Sequence, residues 1–123
     1  MGDHMGEIRL GAVESKFADI IWNNEPLRPV ELEKLAEAEL NWKRTTTLTI
    51  LKRLCERGIF QNKDRIITSL ISREEFYALQ SEKFVNDTFE GSLPAFLAAF
   101  GSRKKLSDKE VEELKKVIDS MRR

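Results

Sequence analysis

From Trp42 to Gly58 the chain reads Trp-Lys-Arg-Thr-Thr-Thr-Leu-Thr-Ile-Leu-Lys-Arg-Leu-Cys-Glu-Arg-Gly, and at about 100° per residue this stretch divides into two faces. Thr47, Leu48, Leu51, Leu54 and Cys55 share one side, whereas Thr45, Thr46, Thr49 and Arg53 share the other. The first side is a core face. The second offers hydroxyls, methyls and a guanidinium, the chemistry that meets base edges in a DNA major groove. Threonine is a poor choice for a merely solvated helix, because β-branching lowers helix propensity and Lys, Glu or Gln would keep the surface soluble. Gly58, tolerant of positive φ, supplies the stop. The stretch is read as a recognition helix, and the rest of the chain as the body that holds it.

Charge supports that reading only after it is resolved along the chain. The formal net charge is zero, which taken alone argues against a nucleic-acid partner. Residues 43–73, however, hold eight Lys and Arg against two acids, a local +6, while residues 7–42 carry −4 and residues 74–123 carry −1. A basic island of this kind is what a local phosphate footprint needs. Its alternative explanation is chance clustering of solubility charges.

Taken in order, Met1 to Gly6 shows no periodicity, and His4-Met5 reads as a cloning junction, so residues 1–6 are set aside as a tail foreign to the fold. Val13, Phe17, Ile20 and Ile21 recur at helix spacing between Leu10 and Asn23, with Trp22 in the last turn. Pro29 suits the first turn of a second, short helix whose inner face is Leu32, Leu35, Ala36 and Leu40. Asn41 is expected to cap the third helix, with Trp42 in its first turn. Two β-rich pieces, Ile59-Phe60 and Ile66 to Ile71, flank a polar centre and predict a hairpin whose tip carries Lys63 and Arg65. Three helices followed by a basic-tipped hairpin is the winged helix-turn-helix pattern, in which the wing lies along the phosphates while the third helix enters the groove.

Past Ser72 the sequence turns to helices richer in aromatics than a domain this small can bury. Five of the seven phenylalanines lie between positions 76 and 100. Ser92 is placed to cap one segment, and Ser107 with Glu110, flanked by Leu106 and Val111, forms a capping box with a hydrophobic staple. Such an arm is expected to complete its core against a second copy of itself, through Phe76, Phe84, Val85, Phe89, Leu93, Phe96, Leu97, Phe100, Val111, Leu114 and Ile118. A ligand pocket among the phenylalanines is the alternative, although no cluster of polar groups converges there to orient a ligand. The expected fold is therefore mainly α. It comprises an N-terminal winged helix-turn-helix domain over residues 7–72, three helices plus a β-hairpin wing, and a C-terminal helical dimerisation arm over residues 73–123.

Other functional classes find little support. The single cysteine and single histidine leave no nucleophile with a base, no zinc-binding spacing and no glycine-rich phosphate loop, so no enzyme, metal or cofactor is expected. No apolar run approaches a membrane span and no basic-then-apolar leader opens the chain, so the expected compartment is the cytoplasm. Cys55 is expected as a buried reduced thiol, and Trp22 and Trp42 as core residues at helix junctions. Groove contacts are assigned to Thr46, Thr49 and Arg53, with Thr45 counted beside them in the DNA-binding set, and phosphate contacts to Lys43, Arg44, Lys52, Lys63 and Arg65. A winged helix that docks a protein instead of DNA is the competing class.

The chain resembles the penicillinase-repressor family of transcriptional repressors (the BlaI, MecI and CopY type) from Leu10 onward. The resemblance rests on Leu10 to Glu14 leading to Ile20-Ile21-Trp22, and on Trp42 with Thr46-Thr47, Thr49, Leu51, Arg53-Leu54 and Gly58. It continues in Phe84-Val85 with Phe89-Glu90-Gly91, and in Leu106-Ser107 with Glu112-Glu113-Leu114. It implies a cytoplasmic homodimer on a palindromic double-stranded DNA operator. Three departures accompany it. The paired Cys-x-Cys motifs of copper-responsive members are absent, and Leu48 stands where some relatives place a basic residue. Members released by a regulatory protease are cut at an Asn-Phe bond, for which this chain has Ala99-Phe100.

Overall fold

The computed structural model describes residues 10–123, so the N-terminal tail lies outside the described residues. The elements run α1 (Ala12–Asn24), α2 (Pro29–Leu40), α3 (Arg44–Glu56), β1 (Phe60–Lys63), β2 (Ile66–Ser69), α4 (Arg73–Phe89), α5 (Leu93–Arg103) and α6 (Asp108–Ser120). Three helices and an antiparallel hairpin make the winged helix expected from the sequence. The chain divides into two compact units, one ending at Ser81 and one beginning at Glu82. That division falls inside α4, later than the expected boundary after Ser72.

In the first unit, each of the three opening helices turns one face to a shared core. Phe17, Ala18, Ile20 and Ile21 come from α1, Leu32 and Ala36 from α2, and Leu51 and Leu54 from α3, closed by Phe60 and Ile67 of the hairpin. Pro29 opens α2 as expected, and the Arg28 N–H donates to Glu31 Oε1 at 2.7 Å to satisfy the start of that helix. Leu27 pairs with Ile67 through two backbone hydrogen bonds, Leu27 N to Ile67 O at 3.3 Å and Ile67 N to Leu27 O at 2.8 Å. The connector between α1 and α2 thus anchors the inner strand of the wing. Glu25 adds to that anchor by accepting from the Ser69 N–H at 2.7 Å.

Two expectations need correction here. Asn41 is not the N-cap of α3; it ends α2 in the left-handed conformation, φ 58°, and its N–H donates to Glu37 O. Asparagine tolerates that region, so the same residue that can start a helix here stops one. Trp42 follows it outside any helix and packs against Phe17, the tilted rings 4.9 Å apart, while Lys43 becomes the N-cap position of α3. Phe76, expected in the dimer seam, is 1% exposed and belongs to the core of the first unit. It meets Trp22, whose rings lie 5.7 Å apart, and Trp22 in turn donates from Nε1 to Ile71 O at 3.0 Å. Both tryptophans are half-buried and packed against this core.

The second unit is built differently. Ser92 caps α5 by accepting from the Ala95 N–H at 3.1 Å. Ser107 and Glu110 form the expected reciprocal box on α6: the Glu110 N–H donates to Ser107 Oγ at 3.1 Å and the Ser107 N–H to Glu110 Oε1 at 3.0 Å. The hydrogen bond from the Ser107 N–H, with a smaller one from the Ser107 hydroxyl, holds the Glu110 carboxyl below its ordinary range. The Phe84, Phe89 and Phe96 rings contact one another edge-on at 5.7–6.2 Å, and Phe100 joins through Phe96. Yet no residue from 82 to 123 is buried, and Phe84, Phe100, Val117, Ile118 and Met121 stand exposed.

Candidate nucleic-acid interface

The site begins with what α3 hides. Thr47, Leu51 and Leu54 are buried, and Leu48, Ile50 and Cys55 half-buried. Thr47 satisfies its hydroxyl locally, donating to Lys43 O at 3.2 Å. Gly58, at φ 81°, then ends the helix: its N–H donates to Cys55 O at 3.0 Å and the Ile59 N–H to Leu54 O at 3.2 Å, the paired bonds of a Schellman stop. Burial pushes the Cys55 thiol up, with the neighbouring Glu56 adding to the shift, so it is a poor nucleophile. That thiol is half-buried, not fully enclosed as the sequence suggested.

With that face fixed to the body, the opposite face has one orientation available. Lys43, Arg44, Thr45, Thr46, Thr49, Lys52 and Arg53 are all exposed. Thr45, Thr46, Thr49, Lys52 and Arg53 lie along the outer side of the helix, as the spacing of the threonines and Arg53 predicted, while Lys43 precedes the helix and Arg44 opens its first turn. The wing contributes its own cations at the tip of the hairpin, where Lys63 pairs in register with Ile66 and both Lys63 and Arg65 are exposed. Asp64 and Arg65 turn the chain with φ values of 55° and 63°, the conformation of a two-residue type I′ hairpin turn.

The cations differ in their partners, which the sequence did not reveal. Arg53 Nη1 contacts Glu14 Oε2 of α1 at 3.3 Å, and Arg44 Nε contacts Glu33 Oε1 of α2 at 3.2 Å. Among the described residues Lys43, Lys52, Lys63 and Arg65 have no carboxylate partner. Nothing in the sequence pairs Glu14 with Arg53 or Glu33 with Arg44, because no periodicity links residues on different helices. No group of acidic, histidine or cysteine side chains that could hold a metal is found among the described residues.

The residues assigned to self-association fall on the second unit, Phe76 excepted. An open apolar cleft of about 480 Å³ runs between α5 and α6, lined by Phe96, Leu97, Phe100, Leu106, Leu114 and Val117, with Glu110 and Glu113 at its edge. Ala99 and Phe100 are exposed in the interior of α5, so the bond between them lies in hydrogen-bonded helix.

Comparison with known proteins agrees with this geometry. The family model described as "Penicillinase repressor" matches residues 10–120. The methicillin resistance regulatory protein MecI of Staphylococcus aureus (strain Mu50 / ATCC 700699) is 25% identical over 114 residues, covering 89% of this chain and 93% of that protein. The MecI protein of Mammaliicoccus sciuri is 24% identical over the same length. The penicillinase repressor of Bacillus licheniformis is 22% identical over 115 residues, 90% of each chain. With the match spanning α3, the wing and the later helices alike, the chain belongs to the penicillinase repressor family.

Proposed function

We propose that the protein is a transcriptional repressor that binds double-stranded DNA as a homodimer, each copy placing α3 in the major groove of one half of a palindromic operator. The observation that carries this reading is the division of α3: Thr47, Leu51 and Leu54 hold it to the body while Thr45, Thr46, Thr49 and Arg53 face outward. Threonine methyls suit thymine and the arginine fork suits guanine, a good bidentate pair such as the latter being worth about 1–3 kcal/mol of discrimination. Lys43, Lys52, Lys63 and Arg65 add sequence-independent attraction to phosphates. Membership of a repressor family supports the regulatory role.

The homodimer is supported by the second unit, which has no buried residue and a row of exposed apolar side chains on α6. A segment of that size with no closed core needs a partner surface to stay folded. Joining two modules makes the second DNA contact effectively intramolecular, raising avidity by about 10²–10⁴ without new contacts. Repression then follows from occupying a promoter. Release by a regulatory protease at Ala99–Phe100 would require α5 to unwind first, because proteases bind extended backbone.

Binding measured against salt separates this reading from a protein-docking winged helix. Affinity for a duplex selected from genomic fragments is expected to fall on the order of a thousandfold between about 50 and 200 mM salt. A partner surface of dry apolar contacts responds little, and that response would overturn the assignment.

A further inference from the structure

Glu14 divides its two oxygens between two tasks. Oε1 accepts from the Gly11 N–H at 3.3 Å and closes the exposed start of α1. Oε2 accepts from Arg53 Nη1 at 3.3 Å, a contact made across 39 residues of sequence. One carboxylate therefore ties the first turn of α1 to the outward face of α3. Arg53 is held this way, whereas neighbouring Lys52 has no carboxylate partner among the described residues. The Arg53 side chain nevertheless stays 49% exposed, so about half of it remains accessible to a ligand.

We propose that Glu14 is a positioning residue that makes Arg53 discriminate between DNA sequences, an inference that rests on the DNA-binding reading above. Two physical effects act in the same direction. A phosphate carries a full negative charge and meets the Glu14 carboxylate with repulsion, which cancels much of what Arg53 offers to any backbone. The edge of a guanine carries only partial charges, so it loses far less to that repulsion. A guanidinium has five donors, and with one nitrogen engaged by Glu14 the remaining donors keep a fixed direction instead of sweeping the groove. Arg53 is thereby quieted toward unmatched DNA and pre-set for a matched base pair.

Glu14→Gln tests this, because the amide oxygen can still accept from Gly11 while the charge is removed. Binding of the full chain is followed by fluorescence anisotropy on a duplex recovered by selection and on a scrambled duplex of equal length, across a salt series. Glu14→Gln should tighten binding to the scrambled duplex about two- to fivefold and steepen its salt slope by about one. The ratio of matched to scrambled affinity should fall. In an Arg53→Ala background the same change should have no effect on that ratio, because Glu14 acts through Arg53. Arg53→Lys, which keeps the charge and loses the fork, should also lower the ratio and gives the same readout if Glu14→Gln folds poorly. An unchanged ratio in folded Glu14→Gln, whatever Arg53→Lys does, or an equal effect of Glu14→Gln with Arg53 absent, overturns the proposal. Wild-type protein that binds no duplex with salt dependence overturns the DNA-binding reading itself, which is a different result.

Discussion

Gly58 and Arg65 both hold positive φ, at 81° and 63°, and the contrast shows what each position is for. At Gly58 the conformation completes the Schellman stop of α3, and a Cβ there would meet nothing within 4 Å. Strain, not collision, is what glycine avoids. Gly58→Ala should therefore cost about 1–2 kcal/mol, read as a shift in the denaturant midpoint with an unchanged slope. At Arg65 the same strain is tolerated by a bulky cationic residue, where glycine would turn more easily. Arg65→Gly should raise stability by up to about 1 kcal/mol while weakening binding to matched and scrambled duplexes alike. Thermal unfolding and anisotropy together check that pair of opposite effects. Gly58 was legible from its place after an apolar-periodic run; Asn41 was not, because asparagine caps a helix at either end and only the packing of Trp42 on Phe17 decides which. The Glu14–Arg53 contact was hidden for another reason: it depends on how α1 crosses α3, which no local spacing encodes.

Among the elements, α3 and α6 were the clearest in the sequence. In α3 the two faces differ in chemistry as well as polarity. In α6 the reciprocal box of Ser107 and Glu110 marks the start unambiguously. The wing was legible as a hairpin, but its anchor was not: Leu27 sits in a proline-flanked connector with no alternation to suggest pairing with Ile67. Glu110 makes a prediction in pH. Its carboxyl is held below the ordinary range by hydrogen bonds that exist only in the folded helix. That contribution is fully present above the ordinary carboxylate range and disappears as pH falls through it toward the lowered value. Far-UV circular dichroism should show helix lost on acidification across that window, and Glu110→Gln should flatten this part of the profile. A profile identical in wild type and variant would contradict the capping role.

For the whole molecule the informative residue is Phe76. The sequence placed it with the other C-terminal phenylalanines because aromatic density looks alike on both sides of the boundary, but the first helical turns of α4 belong to the first unit. Arg73 reinforces that attachment, with Nε 2.8 Å from Asp19 Oδ1 and its guanidinium 4.8 Å from the centre of the Tyr77 ring. Burial then separates two kinds of phenylalanine. Phe76→Ala should cost about 3–5 kcal/mol of unfolding free energy. Phe100, 47% exposed, should leave the first unit's stability unchanged when replaced by Ala, and should instead weaken self-association in sedimentation equilibrium. If Phe100→Ala leaves self-association untouched, the cleft between α5 and α6 is not part of the dimer surface.

A hydroxyl-radical footprint of the full chain on its selected duplex, compared with that of Thr46→Glu, tests the outward face of α3 most directly. The account predicts two protected stretches about one helical turn apart, related by the symmetry of the sequence, and their joint disappearance in Thr46→Glu, which sets a carboxylate against the groove. An undiminished footprint from Thr46→Glu would contradict it.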